Sequence, residues 1–346
     1  MNNIGRWCLS PESVVKCDRL NLHDQSNVKE KKVTDKFIEA IKKTGAPICV
    51  GLDPKMSFLP KTIADRTFNE MGVSVEAAAE AFLKYNKAVI DAVKDLVPSV
   101  KPQIAMYEEL GLPGLKCYQD TVKYARDAGL IVIGDVKRGD IGSTCASYAN
   151  AHLGTASLTF GARVVREETF ATDYATVNPY MGSDGINEFL SVGREFDRGI
   201  FVLVKTSNPS SAEFQDLDTG GEKLYERVAR KVSEWGQDSI GRCGYSDVGA
   251  VVGATYPEVG RRLRELMPDT LFLVPGYGAQ GASAADLKDY FDKDGIGAVV
   301  NSSRGIIAAY KKEEYAKYGD DGFADAARAA TEDMIKDLRE NAEVYH

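Results

Sequence analysis

Gly129-Leu130-Ile131-Val132-Ile133-Gly134-Asp135-Val136-Lys137-Arg138-Gly139-Asp140 divides into an apolar half and a charged half. Leu130 to Val136 is a short run rich in β-branched residues, the composition of a buried strand. Charged residues begin at its end, with Asp135. Upstream, Pro113 opens and Gly129 closes a stretch of helical pattern, with proline just inside the first turn and glycine just past the last. A helix that feeds a buried strand, which then turns into a polar loop, is one unit of a parallel α/β sheet.

The same unit recurs along the chain. Strand-like runs occur at Ile48 to Leu52, Val97 to Ala105, Leu130 to Val136, Ala175 to Asn178, Ile200 to Lys205, Val248 to Gly253, Leu271 to Pro275 and Ala298 to Asn301. Helical stretches separate them. Ser74 precedes the apolar-striped segment that runs to Leu96, and Thr255-Tyr256-Pro257-Glu258 has capping-box spacing with proline inside the first turn. Eight such units with no linker between them predict a single-domain (β/α)₈ barrel rather than an open doubly wound sheet. Residues 1–33 lack either periodicity and are expected to form a mobile N-terminal extension, with the barrel spanning 34–346. The length beyond a plain barrel is assigned to Lys55 to Gly72 and to Ser157 to Asp173.

Of the 346 residues, 44% are hydrophobic and 27% charged, enough for a large core beneath a polar surface. A net charge of −8 argues against a nucleic-acid partner, which calls for a basic face. The six cysteines are scattered, with no Cys-x-x-Cys and no His/Cys cluster at metal spacing, so free thiols in a reducing compartment are expected. No apolar run approaches the roughly 20 residues of a membrane span, and no signal-peptide core is present, so a cytoplasmic enzyme is expected.

Active sites of such barrels lie at the C-terminal ends of the strands. Those ends read Gly51-Leu52-Asp53-Pro54, Lys101-Pro102-Gln103, Asp135-Val136-Lys137-Arg138-Gly139-Asp140, Asn178-Pro179-Tyr180, Thr206-Ser207-Asn208-Pro209, Pro275-Gly276-Tyr277-Gly278-Ala279-Gln280-Gly281 and Asn301-Ser302-Ser303-Arg304-Gly305. Strand alternation puts Asp135 and Lys137 on one face, at the barrel mouth, with Asp140 just beyond. Two opposite charges about 4 Å apart attract by roughly 4 kcal/mol at an effective dielectric near 20, before desolvation. A lysine between carboxylates is favoured as its ammonium, suited to donating a proton rather than to forming a Schiff base. The same Asp-x-Lys-x-x-Asp spacing also suits a structural salt bridge. Glycines after the seventh strand let backbone amides approach an anion, and Arg304 after the eighth offers a guanidinium fork, so these loops are expected to hold phosphate.

Taken together and in order, these strand ends resemble the orotidine 5′-monophosphate decarboxylase family, in its longer bacterial-type branch (type 2), from about Phe37 to Leu338. The resemblance implies cofactor-free and metal-free decarboxylation of orotidine 5′-monophosphate to uridine 5′-monophosphate, the last step of de novo pyrimidine nucleotide synthesis. It implies that Lys101, Asp135, Lys137 and Asp140 form the charged catalytic network, with Lys137 the proton donor. Asp53 is implied to bind a ribose hydroxyl and Ser207 the pyrimidine amide edge. Pro275 would line the pocket, and Gln280 and Arg304 would grip the phosphate. Asp140, Ile141 and Thr144 are implied to reach into a neighbouring subunit, which makes the expected assembly a homodimer with shared sites. Asn208 and Ser303 depart from the family pattern, where histidine and glycine are common, and Gly161 to Thr172 reads as an insertion. Two rivals are a related Mg²⁺-dependent barrel that works through an enediolate, and an inactive nucleotide-binding barrel, which would not need the whole charged set.

Overall fold

A computed structural model describes residues 31–254, 257–278 and 282–346. Strands β1 (Ile48–Leu52), β2 (Ser99–Pro102), β3 (Ile131–Arg138), β6 (Tyr174–Val177), β7 (Gly199–Lys205), β8 (Val248–Val252), β9 (Phe272–Pro275) and β10 (Ala298–Ser302) close into one barrel. Every neighbouring pair is parallel, and β10 returns to β1. All eight expected strands are therefore present, and their alternation sorts the side chains into two layers. Cys49, Ile133, Tyr174, Phe201, Val251, Leu273 and Val299 belong to a buried cluster inside the barrel. Val50, Val132, Ala175, Val202, Ala250, Val274 and Val300 belong to a second cluster shared with the surrounding helices.

Phe37, Ile38 and Ile41 of the helix Val33–Thr44 join the inner cluster, so this helix closes the N-terminal end of the barrel. It is tied there by Thr34, whose hydroxyl donates to Asp247 at 2.6 Å. With that end plugged by apolar side chains, polar chemistry is left to the opposite rim.

Local signals set several helix ends. Ser74 caps Val75–Val93 by accepting the Ala77 N–H at 3.1 Å. The helix read from Pro113 begins two residues earlier and runs Gly111–Asp127, so the proline sits at its third position, still within the first turn where a missing N–H costs nothing. The run read as strand to Ala105 stops at Pro102, and a short helical turn, Ala105–Glu108, follows. The capping-box residues Thr255 and Tyr256 lie outside the described residues, but the helix they precede is present as Pro257–Leu266.

Both segments assigned to surplus length carry structure of their own. Lys61–Met71 is a helix. Thr155–Phe160 (β4) and Arg163–Glu168 (β5) form an antiparallel hairpin outside the barrel, turned at Gly161 with φ 59°. Leu158, Phe160 and Val165 on this hairpin are exposed. No helix among the described residues is long and apolar enough to cross a membrane.

Candidate active site

Asp135, near the end of β3, is the hub of the barrel mouth. Its carboxylate accepts Lys101 Nζ at 2.7 Å and Gln103 Nε2 at 2.8 Å on one oxygen, and Lys137 Nζ at 2.5 Å and Thr176 Oγ1 at 3.1 Å on the other. Lys101 and Asp135 are buried, whereas the Lys137 side chain is 47% exposed and so faces the open mouth. Burial alone would raise the Asp135 pKa, but the two ammonium groups outweigh it and hold the carboxyl below the usual carboxylate range. Burial likewise opposes the charge on Lys101, and the attraction of Asp135 and Asp53 overcomes it, holding the ammonium above its usual range. An ionised carboxylate beneath a half-exposed ammonium is the result.

Strand alternation alone does not bring Lys137 to Asp135. Gly134 pairs with Ala175 and Arg138 with Val177, so three residues of β3 stand opposite Thr176 alone. Lys137 takes up the excess in the left-handed region, at φ 46°. Val136 N–H and Lys137 N–H both donate to Thr176 Oγ1 at 2.9 Å. The expectation that both side chains serve the mouth holds for the contact between them, but a bulge rather than a regular pleat produces it.

Around this hub the other rim residues take fixed places. Asp53 follows β1, and its buried Oδ1 has no hydrogen-bond partner among the described residues. Ser207 follows β7 against the backbone of Gly253, where an added Cβ would come within 2.9 Å of Ser207 Cβ, so glycine is needed for that approach. Pro275 ends β9, and Gly276 and Gly278 follow at φ 109° and 66°. Gln280 lies outside the described residues. Ser303, one of the departures noted above, occupies the space a side chain at Gly51 would need, with its Oγ 1.9 Å from the position of an added Cβ. Arg304 is exposed, and no carboxylate pairs with it among the described residues. Beside it opens a cleft of about 580 Å³, lined also by Ser302, Ser283 and Lys312.

Asp140 does not join the network within its own chain. Its Oδ1 accepts the Ile141 N–H at 2.8 Å, and among the described residues it forms no ion pair with Lys137. Ile141 and Thr144 are exposed on the same loop and at the start of the helix Gly142–Leu153. Two glycines let this loop lie close: an added Cβ at Gly185 would come within 2.5 Å of Asp140 O, and one at Gly139 within 3.0 Å of Asn178 O.

Three contributors have roles that residue order does not signal: Gln103, Thr176 and Gly185. A threonine within an apolar run reads as an ordinary β-former, and only the bulge opposite gives its hydroxyl three partners.

The model of the orotidine 5′-phosphate decarboxylase / HUMPS family matches residues 46–318 of this chain. An orotidine 5′-phosphate decarboxylase of Rhodopirellula baltica is 45% identical over 301 residues, covering 87% of this chain and 96% of that protein. One from Caldicellulosiruptor saccharolyticus is 42% identical over 278 residues, or 80% of this chain and 90% of that protein. The structure of Leishmania donovani OMP decarboxylase aligns with a TM-score of 0.66 at 29% identity, covering 90% of this chain and 99% of that one. The closed barrel, the order of its polar strand ends and these similarities agree, and the chain belongs to the orotidine 5′-phosphate decarboxylase / HUMPS family.

Proposed function

We propose that this protein converts orotidine 5′-monophosphate to uridine 5′-monophosphate and CO₂, without metal or organic cofactor, as the closing step of de novo UMP synthesis in the cytoplasm. The observation that carries this reading is the half-exposed Lys137 ammonium 2.5 Å from an ionised Asp135 whose charge is also met by buried Lys101. When the substrate C–C bond breaks, its electron pair remains on pyrimidine C6, where no adjacent carbonyl delocalises it well. The Lys137 ammonium offsets that charge and supplies the proton that forms the C6–H bond, and the amine regains a proton from solvent. Asp135 opposes the substrate carboxylate while it is charged, and this repulsion disappears as neutral CO₂ forms. Lys101 keeps Asp135 ionised and in place.

Binding is assigned to the rest of the rim. Asp53 Oδ1, buried and without a partner among the described residues, suits a ribose hydroxyl. Ser207 reads the pyrimidine amide edge and Pro275 lines the pocket. Arg304, paired with no carboxylate among the described residues, grips the phosphate together with Gln280. Phosphate binding remote from C6 gives the enzyme binding energy to spend on closing its loops and expelling water.

Asp140, Ile141 and Thr144 act in the site of a second subunit, so the working unit is a homodimer. Asp140 leaves Lys137 unpaired with it in its own chain, and Ile141, Tyr180 and Met181 expose apolar side chains on neighbouring loops. The test of the activity is the loss of orotidine 5′-monophosphate absorbance on adding purified protein, at a rate unchanged by excess EDTA. An unchanged absorbance overturns the proposal, and a rate abolished by EDTA overturns its metal-free part.

A further inference from the structure

We propose that Thr176 is a positioning residue that holds the β3 bulge in the form that aims Lys137, an inference that rests on the role given to Lys137 above. Thr176 is buried, opposite three residues of β3. A threonine hydroxyl has one hydrogen and two lone pairs, and here all three are used. The oxygen accepts the Val136 and Lys137 N–H groups, each at 2.9 Å, and its hydrogen is directed to Asp135 Oδ1 at 3.1 Å. Those two amides are the ones the bulge takes out of the regular ladder, and buried amides without partners are strongly disfavoured.

The backbone at Lys137 also needs external support. A β-strand lysine does not choose φ 46° by itself, since its Cβ crowds the carbonyl in the left-handed region. The bond from Lys137 N–H to Thr176 holds it there. Thr176 further donates to the same carboxylate oxygen that Lys137 Nζ approaches, so one side chain sets both the lysine backbone and the carboxylate it pairs with. Its β-branch restricts the side-chain rotamer, which keeps the oxygen aimed at the bulge.

Thr176→Val keeps the shape and removes all three hydrogen bonds, whereas Thr176→Ser keeps the hydroxyl. The parent and both variants are assayed for kcat and KM with orotidine 5′-monophosphate. Thr176→Val is expected to lower kcat at least 30-fold with KM within threefold, because phosphate and ribose contacts lie on other strands, and Thr176→Ser to regain most of kcat. A Val variant within threefold of the parent, or a Ser variant as impaired as the Val one, overturns the proposal. Should Thr176→Val not fold, Thr176→Ala is read in the same way, and should both fail, kcat of the Ser variant decides by the same limits. If the parent itself leaves orotidine 5′-monophosphate unchanged, it is the proposed function that has failed. Positioning is then read from crystal structures of parent and Thr176→Val, where Lys137 leaving the left-handed region supports it and an unmoved Lys137 overturns it.

Discussion

At the scale of single residues, the proposed function divides the rim into groups that act on charge formed during reaction and groups that hold substrate throughout. Lys137→Ala removes the proposed proton donor but leaves Asp135 paired with buried Lys101 at 2.7 Å, so the fold should persist. We expect decarboxylation to be abolished while UMP still binds, measured by turnover beside calorimetric titration, and turnover within tenfold of the parent would contradict the assignment. Arg304→Ala should act on KM and kcat together, costing about 2–5 kcal/mol in kcat/KM, because the proposed phosphate site then lacks its charged fork. Unchanged kinetics would place phosphate recognition elsewhere.

At the scale of elements, the barrel is sealed at its N-terminal end by polar staples as well as by apolar packing. Arg264, in the helix Pro257–Leu266, donates to the carbonyls of Tyr290 at 2.9 Å, Met267 at 3.0 Å, Thr270 at 2.8 Å and Gly297 at 2.6 Å. Its guanidinium also lies 3.7 Å from the centroid of the Phe272 ring. One planar fork thereby joins the approaches to β9 and β10 to the helix that precedes β9. Lysine keeps the charge but cannot reproduce the fork or the stacking, so Arg264→Lys should destabilise the protein by about 2–4 kcal/mol. The check is the denaturant midpoint, with turnover of the folded fraction unchanged because the rim is untouched. A midpoint equal to the parent's would show that the staple is dispensable.

At the scale of the whole molecule, two consequences reach beyond one site. His152 is buried, its Nδ1 has no partner among the described residues, and its ring stacks on Phe170 at 5.0 Å. Burial, helped by the charge of Arg138, pushes its pKa from the usual 6.5 down to about 3. The folded protein therefore keeps the ring neutral while the unfolded chain protonates it, so its stabilising effect is complete above pH 6.5 and is lost as pH falls toward 3. His152→Phe should flatten the fall of stability with acid by at most about 1.4 kcal/mol per pH unit in that window. Equal slopes of unfolding free energy against pH for parent and variant would rule this out.

The second consequence concerns assembly. If the site is shared as proposed, Lys137→Ala and Asp140→Ala homodimers should both be severely impaired, since every site then lacks one charge. Refolded together at equal amounts, about half the dimers are mixed and each has one complete site of two, so roughly a quarter of parental activity should return. Subunit tags would verify exchange, and mixed dimers no more active than separately refolded controls would sink the shared-site model.

Much of this protein could be read directly from residue order. Eight apolar runs, each ending in polar residues, were enough for a closed parallel barrel, because burial on both faces demands continuous apolar strands and the short turns leave chemistry to one rim. Asp135, Lys137, Asp53 and Arg304 were legible as strand-end residues for the same reason. The hairpin Thr155 to Glu168 was not, since it lies outside the repeating rhythm that organised the reading. The tertiary structure alone decided that Lys137 reaches Asp135 through a bulge, and that Asp140 does not meet Lys137 in its own chain. It alone gave Thr176 its three partners. Strand periodicity specifies which face a side chain occupies, but a register mismatch between two strands distant in sequence exists only once they are paired.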